Sequence, residues 1–294
     1  MEGKVLTKER KIYKVNLFFM LTLIWSLVAE FLPIHSNLYQ YIAFLIPICI
    51  YTFRNKEATS RIFKFNKIGL KSLFIVFIIW LSMLPISIII ISFYTNYFGK
   101  TMPDLVIEAS KQSNLELLIF TAITPAILEE LLMRGIILDG YRNKNRLSAA
   151  LINGFMFGIL HLNTFQFSHT FVSGTIASYL VFATNSIFSA IFFHFVNNSA
   201  PVFIDIIIKF LFPKDNEVVQ SDYNHNYKYP IILVFISLLI IIGLIYLLAK
   251  INNVDFKKQI GTSNEVIFNK PLIISIIIFI MVNIMLILTI KLLM

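Results

Sequence analysis

Nine stretches of predominantly apolar residues, from 14 to 25 residues long, take up most of this sequence. They restrict the fold more than any other feature. A helix needs about 20 such residues to cross the hydrocarbon, and lipid tolerates only backbones whose N–H and C=O groups pair internally. The expected helices cover residues 15–32, 38–53, 72–94, 114–138, 147–162, 170–183, 186–210, 230–249 and 272–292. Charged residues make up 14% of the chain, against about 25% in soluble domains. The reading is an all-α fold, a polytopic membrane helical bundle of about eight to nine transmembrane helices.

The first run lacks a small-residue cleavage site, so it reads as a first membrane helix and not as a removable signal. With the N-terminus in the cytoplasm, most of the 25 Lys and Arg residues fall on the cytoplasmic side, notably Lys4 to Lys14 and Arg54 to Lys71. The formal net charge of +9 is then assigned to loops beside anionic lipid, and no nucleic-acid partner is expected. A lone Cys49 excludes an internal disulfide and a thiolate metal cage. Neither a dinucleotide fingerprint nor a Walker A pattern is present, and there is no H-E-x-x-H.

One apolar run breaks the pattern. Leu128-Glu129-Glu130-Leu131-Leu132-Met133-Arg134 carries three formal charges where each costs about 2.5–3.5 kcal/mol to insert. Glu130 and Arg134 are four apart with the acid first, the favoured order for a helical ion pair. Glu129 lies about 100° around the helix, away from Arg134, and must find its partner on another helix or in water. Pro125 frees the carbonyl of Thr121 and is expected to kink the helix just before Glu129.

The next run places Phe157 and His161 on one face, with Gly154 and Gly158 on a neighbouring face as a small-residue contact. The seventh run places His194 and Asn198 together, with Asn197 facing elsewhere. Measured along the helices at about 1.5 Å per residue, Glu129, His161, His194 and Asn198 reach similar depth. His35, His169 and His225 fall in expected loops. A carboxylate, two histidines and an amide meeting in a low-dielectric cavity suit hydrolysis, with Glu129 as general base on a water, His161 orienting that water or passing the proton on, and His194 and Asn198 binding an oxyanion. The same set without the amide, Glu129, His161 and His194, also suits a zinc-type site that generates hydroxide. Spacing does not choose between them.

Glu129-Glu130-x-x-x-Arg134, Phe157-x-x-x-His161 and His194-x-x-x-Asn198, in this order on successive membrane helices, resemble the CPBP family of intramembrane proteases, also called the Abi or CAAX-protease-and-bacteriocin-processing family, which includes type II CAAX prenyl endopeptidases. The similarity covers about residues 114–201. The resemblance implies catalytic roles for Glu129 and His161 in activating water and an oxyanion hole from His194 and Asn198. It leaves Glu130, Arg134 and Phe157 structural, and it favours no metal cofactor. It also implies one integral membrane domain with N-terminal helices in 1–113, the catalytic core in 114–210 and further membrane helices in 211–294. The expected partners are the bilayer and a membrane-associated peptide or protein substrate. The Ile-, Lys-, Asn- and Phe-rich composition resembles that of an AT-rich bacterium, where protein prenylation is not expected, so peptide maturation, bacteriocin self-immunity or envelope regulation in a bacterial cell membrane is the expected setting. A non-proteolytic membrane partner and a proton-relay transporter are the competing functions.

Overall fold

A computed structural model describes residues 11–104, 113–211, 228–256 and 263–293. Every regular element among them is helical, as the apolar runs require. The helices are α1 (Lys11–Glu30), α2 (41–54), the short α3 (Thr59–Phe63), α4 (Leu70–Phe98), α5 (114–140), α6 (Arg146–Leu160), α7 (Thr164–Thr184), α8 (Phe188–Leu211), α9 (Lys228–Ile251) and α10 (Lys270–Leu293). By length and composition, five stretches among the described residues suffice to cross a membrane: Lys11–Glu30, Leu70–Phe98, Phe188–Ile208, Ile231–Ile251 and Lys270–Leu292. This is an integral membrane protein, and the remaining helices are shorter or more polar segments packed among those five.

Sequence chemistry explains where the central helices begin and bend. Ser113 and Glu116 form a reciprocal capping box at the start of α5. That helix is continuous, but it contains two π-helical stretches, Leu117–Ile123 and Leu131–Ile137, on either side of Thr124–Glu130. The first ends beside Pro125, which has no N–H to give, and the wider winding accommodates the missing bond. Asn145 caps α6 by accepting from the Ser148 N–H at 2.7 Å.

α7 begins at Thr164, six residues before the expected boundary, because Asn163 caps it by accepting from the Gln166 N–H at 2.8 Å. His169 therefore lies inside a helix and not in the expected loop. Its polar neighbours Gln166 and Ser168 had masked the apolar period. His35 stays outside the long helices, capping a short turn, and His225 lies outside the described residues.

The most extensive helix pairing is α6 against α7, and glycine makes it possible. A Cβ on Gly154 would lie 2.5 Å from the Phe171 carbonyl oxygen and 2.8 Å from the Thr175 nitrogen, so backbone meets backbone there. A Cβ on Gly158 would meet Phe167 at 2.7 Å. α8 packs on α5, α9 on α4, and α10 on α1, so α5 to α8 form the centre of the bundle.

Candidate active site

α5 carries its charges on a face sealed by its neighbours. Glu130 and Arg134 are each only 1% exposed, and Arg134 Nη1 donates to Glu130 Oε1 at 2.8 Å. The guanidinium lies over the Phe157 ring at 4.5 Å, which gives Phe157 a cation–π role. Gly174 of α7 makes room for it, since a Cβ there would come within 2.9 Å of Arg134 Nη2. Asn153, fully buried on α6, ties this region together: its amide donates to the Met133 carbonyl at 2.7 Å, and its oxygen accepts from Ser178 at 3.0 Å. Sequence reading passed over Asn153, although a lone Asn within an apolar helix is itself a signal.

Glu130 has a second partner that helical spacing alone does not reveal. His194 Nδ1 lies 2.9 Å from Glu130 Oε1. Asn198 Nδ2 donates to the Thr121 carbonyl at 2.9 Å and lies 3.1 Å from His194 Nε2. A carbonyl can only accept, so Thr121 fixes the orientation of the Asn198 amide with its NH2 toward both partners. His194 Nε2 must then accept, which puts the ring proton on Nδ1, where it donates to Glu130. A single chain of hydrogen bonds thus runs from the carbonyl freed by Pro125, through Asn198 and His194, to the buried ion pair.

Glu129 stays outside that chain. It is 8% exposed, and its Oε2 has no hydrogen-bond partner. His161, at the end of α6, donates from Nδ1 to the Phe157 carbonyl at 2.9 Å, which leaves Nε2 as the nitrogen able to take a proton. Its ring meets that of Phe157 edge-on at 4.9 Å.

Glu129, Glu130, Arg134, Phe157, His161, His194 and Asn198 all line one cavity of about 450 Å³. The structure brings the residues singled out in the sequence together. It adds others: Gln166, His169, Thr170 and Ser173 from one stripe of α7, together with Gln40 and Asn197. Asn197 was expected to face elsewhere; it borders the cavity and donates to Asn198 Oδ1 at 3.2 Å, because two successive residues of α8 share the wide rim. Recognising Asn163-x-x-Gln166 as a helix start would have exposed the α7 stripe, whose members recur at helical spacing.

Two expected roles meet a geometric constraint. Neither His194 nitrogen has a hydrogen left for an oxyanion, and both Asn198 amide hydrogens are engaged at rest, so an oxyanion gains a donor here only when Asn198 gives up its contact with the Thr121 carbonyl. The residues do not fit a metal either. His194 has both ring nitrogens engaged, and no three His, Cys, Asp or Glu side chains among the described residues are grouped to hold an ion.

Residues 111–200 match the family model for type II CAAX prenyl endopeptidase Rce1-like proteins. The match spans α5 to α7 and the part of α8 that carries His194 and Asn198, and it supports a CAAX-type intramembrane protease in general terms. No curated protein and no solved structure shows a significant match.

Proposed function

We propose that this protein is an intramembrane endopeptidase that hydrolyses a peptide bond in a membrane-associated peptide or protein. The observation that carries the reading is the unpartnered carboxylate oxygen of Glu129, which borders the same cavity as His161, whose Nε2 is left to accept a proton. Glu129 takes a proton from a water held between them, and the hydroxide attacks the substrate carbonyl carbon. The C–N bond then breaks, and the proton passes from Glu129, directly or through His161, to the leaving amine. Water is added across the bond, and no other reactant is consumed.

Asn198 binds the oxyanion, with His194 as the acceptor that holds its amide in place. At rest, one Asn198 hydrogen goes to the neutral Thr121 carbonyl. Charge-assisted hydrogen bonds are about twice as strong as neutral ones. Moving that hydrogen from Thr121 to an oxyanion is therefore favourable only once negative charge has developed, so the contact is strongest in the transition state. No step runs through a metal. The N-terminus lies in the cytoplasm, the nine apolar runs lie in the membrane, and the substrate is a bacterial envelope or secreted peptide in place of a prenylated one.

The test is a comparison of membrane peptide termini in cells carrying the natural protein and Glu129→Gln, which keeps the shape and removes the basic oxygen. Loss of a general base typically costs about 10²–10⁴-fold, so a defined set of cleavage products should vanish. Identical termini at equal protein levels would sink the reading.

A further inference from the structure

α10 has the least buried apolar stretch of the five, at 11%, and the site described above uses none of its residues. Nevertheless it carries Asn283, which is only 6% exposed, in a predominantly apolar helix. A polar side chain in such a helix is expensive unless it has a partner.

Its partner is the turn that follows His161. Asn283 Nδ2 donates to the Leu162 carbonyl at 3.3 Å and to the Phe279 carbonyl of its own helix at 2.7 Å. The turn needs such help for two reasons. α6 has 15 residues, about 22 Å of helix against a hydrocarbon core of about 30 Å, so a helix of this length ends within the bundle and not at the far surface. Irregular backbone at membrane depth survives only where protein groups satisfy its carbonyls. Asn163 does this for His161, donating to its carbonyl at 2.9 Å, and Asn283 does it for Leu162. In addition, Leu162 sits at φ +54°, a left-handed conformation that helix ends usually reserve for glycine. A leucine stays there only when its surroundings hold it. The Phe279 and Phe167 rings, 5.3 Å apart, reinforce the same contact.

We propose that Asn283 is a positioning residue for His161: its amide holds the Leu162 carbonyl and so fixes the turn that presents the His161 ring to the cavity. The catalytic consequence rests on the role given to His161 above; the brace itself does not.

The experiment uses the full chain in lipid nanodiscs with Asn283→Leu, which is similar in size, suits lipid and cannot donate. Carbethoxylation of His161 by diethyl pyrocarbonate is followed by peptide mass spectrometry, with His35 as the internal reference and thermal melting as the fold control. Loss of local protection should speed His161 modification by about threefold or more with His35 unchanged. On a cleaved substrate, kcat should fall about tenfold, the equivalent of about 1.4 kcal/mol, with KM unchanged. Asn283→Gln, which retains the donor, should recover both. A folded Asn283→Leu protein whose His161 reacts at the natural rate overturns the proposal. If that variant does not fold, Asn283→Ser decides by the same two outcomes, because its hydroxyl reaches Phe279 but not Leu162. If the natural protein cleaves nothing, the protease reading fails, while the His161 rate still decides the brace.

Discussion

Breaking the Glu130–Arg134 pair should destabilise the protein more than any other single change at this site. The two groups touch at 2.8 Å with side-chain exposures of 0% and 1%, so water cannot screen what is left behind. At an effective dielectric of about 20, unit charges about 4 Å apart attract by about 4 kcal/mol, and removal of one partner of a buried pair typically costs about 3–5 kcal/mol. Arg134→Met leaves the Glu130 charge with His194 Nδ1 as its remaining side-chain donor. Glu130→Gln keeps an oxygen for both donors but strands a guanidinium whose Nε and Nη2 already lack partners. Each single variant should therefore lose about 3–5 kcal/mol. The double variant buries neither charge and should be less destabilised than the sum of the singles by about 3 kcal/mol, at the upper end of measured couplings between contacting residues. Unfolding in mixed micelles titrated with dodecyl sulfate, read by circular dichroism, measures all four proteins. Additive losses, or single losses below about 1 kcal/mol as at exposed pairs, would refute the reasoning.

Gly154→Ala should cost about 1–3 kcal/mol through overpacking, because its Cβ meets Phe171 and Thr175 backbone atoms, whereas Gly243→Ala, with nothing within 4 Å, should not melt lower. Asn198→Asp replaces the donor to Thr121 with an acceptor, and cleavage should fall by at least about 10²-fold, the usual effect of losing an oxyanion donor. Because His194 has no nitrogen free, chelators should leave cleavage intact; a loss that added zinc reverses would refute this.

The apolar runs made the helices legible, since a bilayer leaves a chain few other ways to satisfy its backbone. The ion pair was legible because four residues of α-helix bring Glu130 and Arg134 together without help from elsewhere. The contact between Glu130 and His194 was not, since it depends on how α8 packs against a helix already rewound by π-helical stretches, and a 3.6-residue period does not describe those stretches. His169 was misplaced for a local reason: the signal for the start of α7 is a polar cap, and a search for apolar periodicity passes over it. Asn163 and Asn283 share this property, each a single amide whose significance lies in the carbonyl it reaches.

The glycine seam between α6 and α7 sets the tolerance to which the cavity is built. Where side chains separate two helices, a change in one can be absorbed by a new rotamer in another, and the spacing drifts through evolution. At Gly154 and Gly174 there is little to adjust: Gly174 lies against the Gly154 Cα, Gly154 lies against the backbone of α7, and the Arg134 guanidinium fills the remaining space. The separation of the His161-bearing helix from the α7 wall is thereby fixed by covalent dimensions. Diversification of what this cavity accepts should accordingly run through the stripe of Gln166, His169, Thr170 and Ser173, which can vary in size and polarity while the frame keeps its gauge.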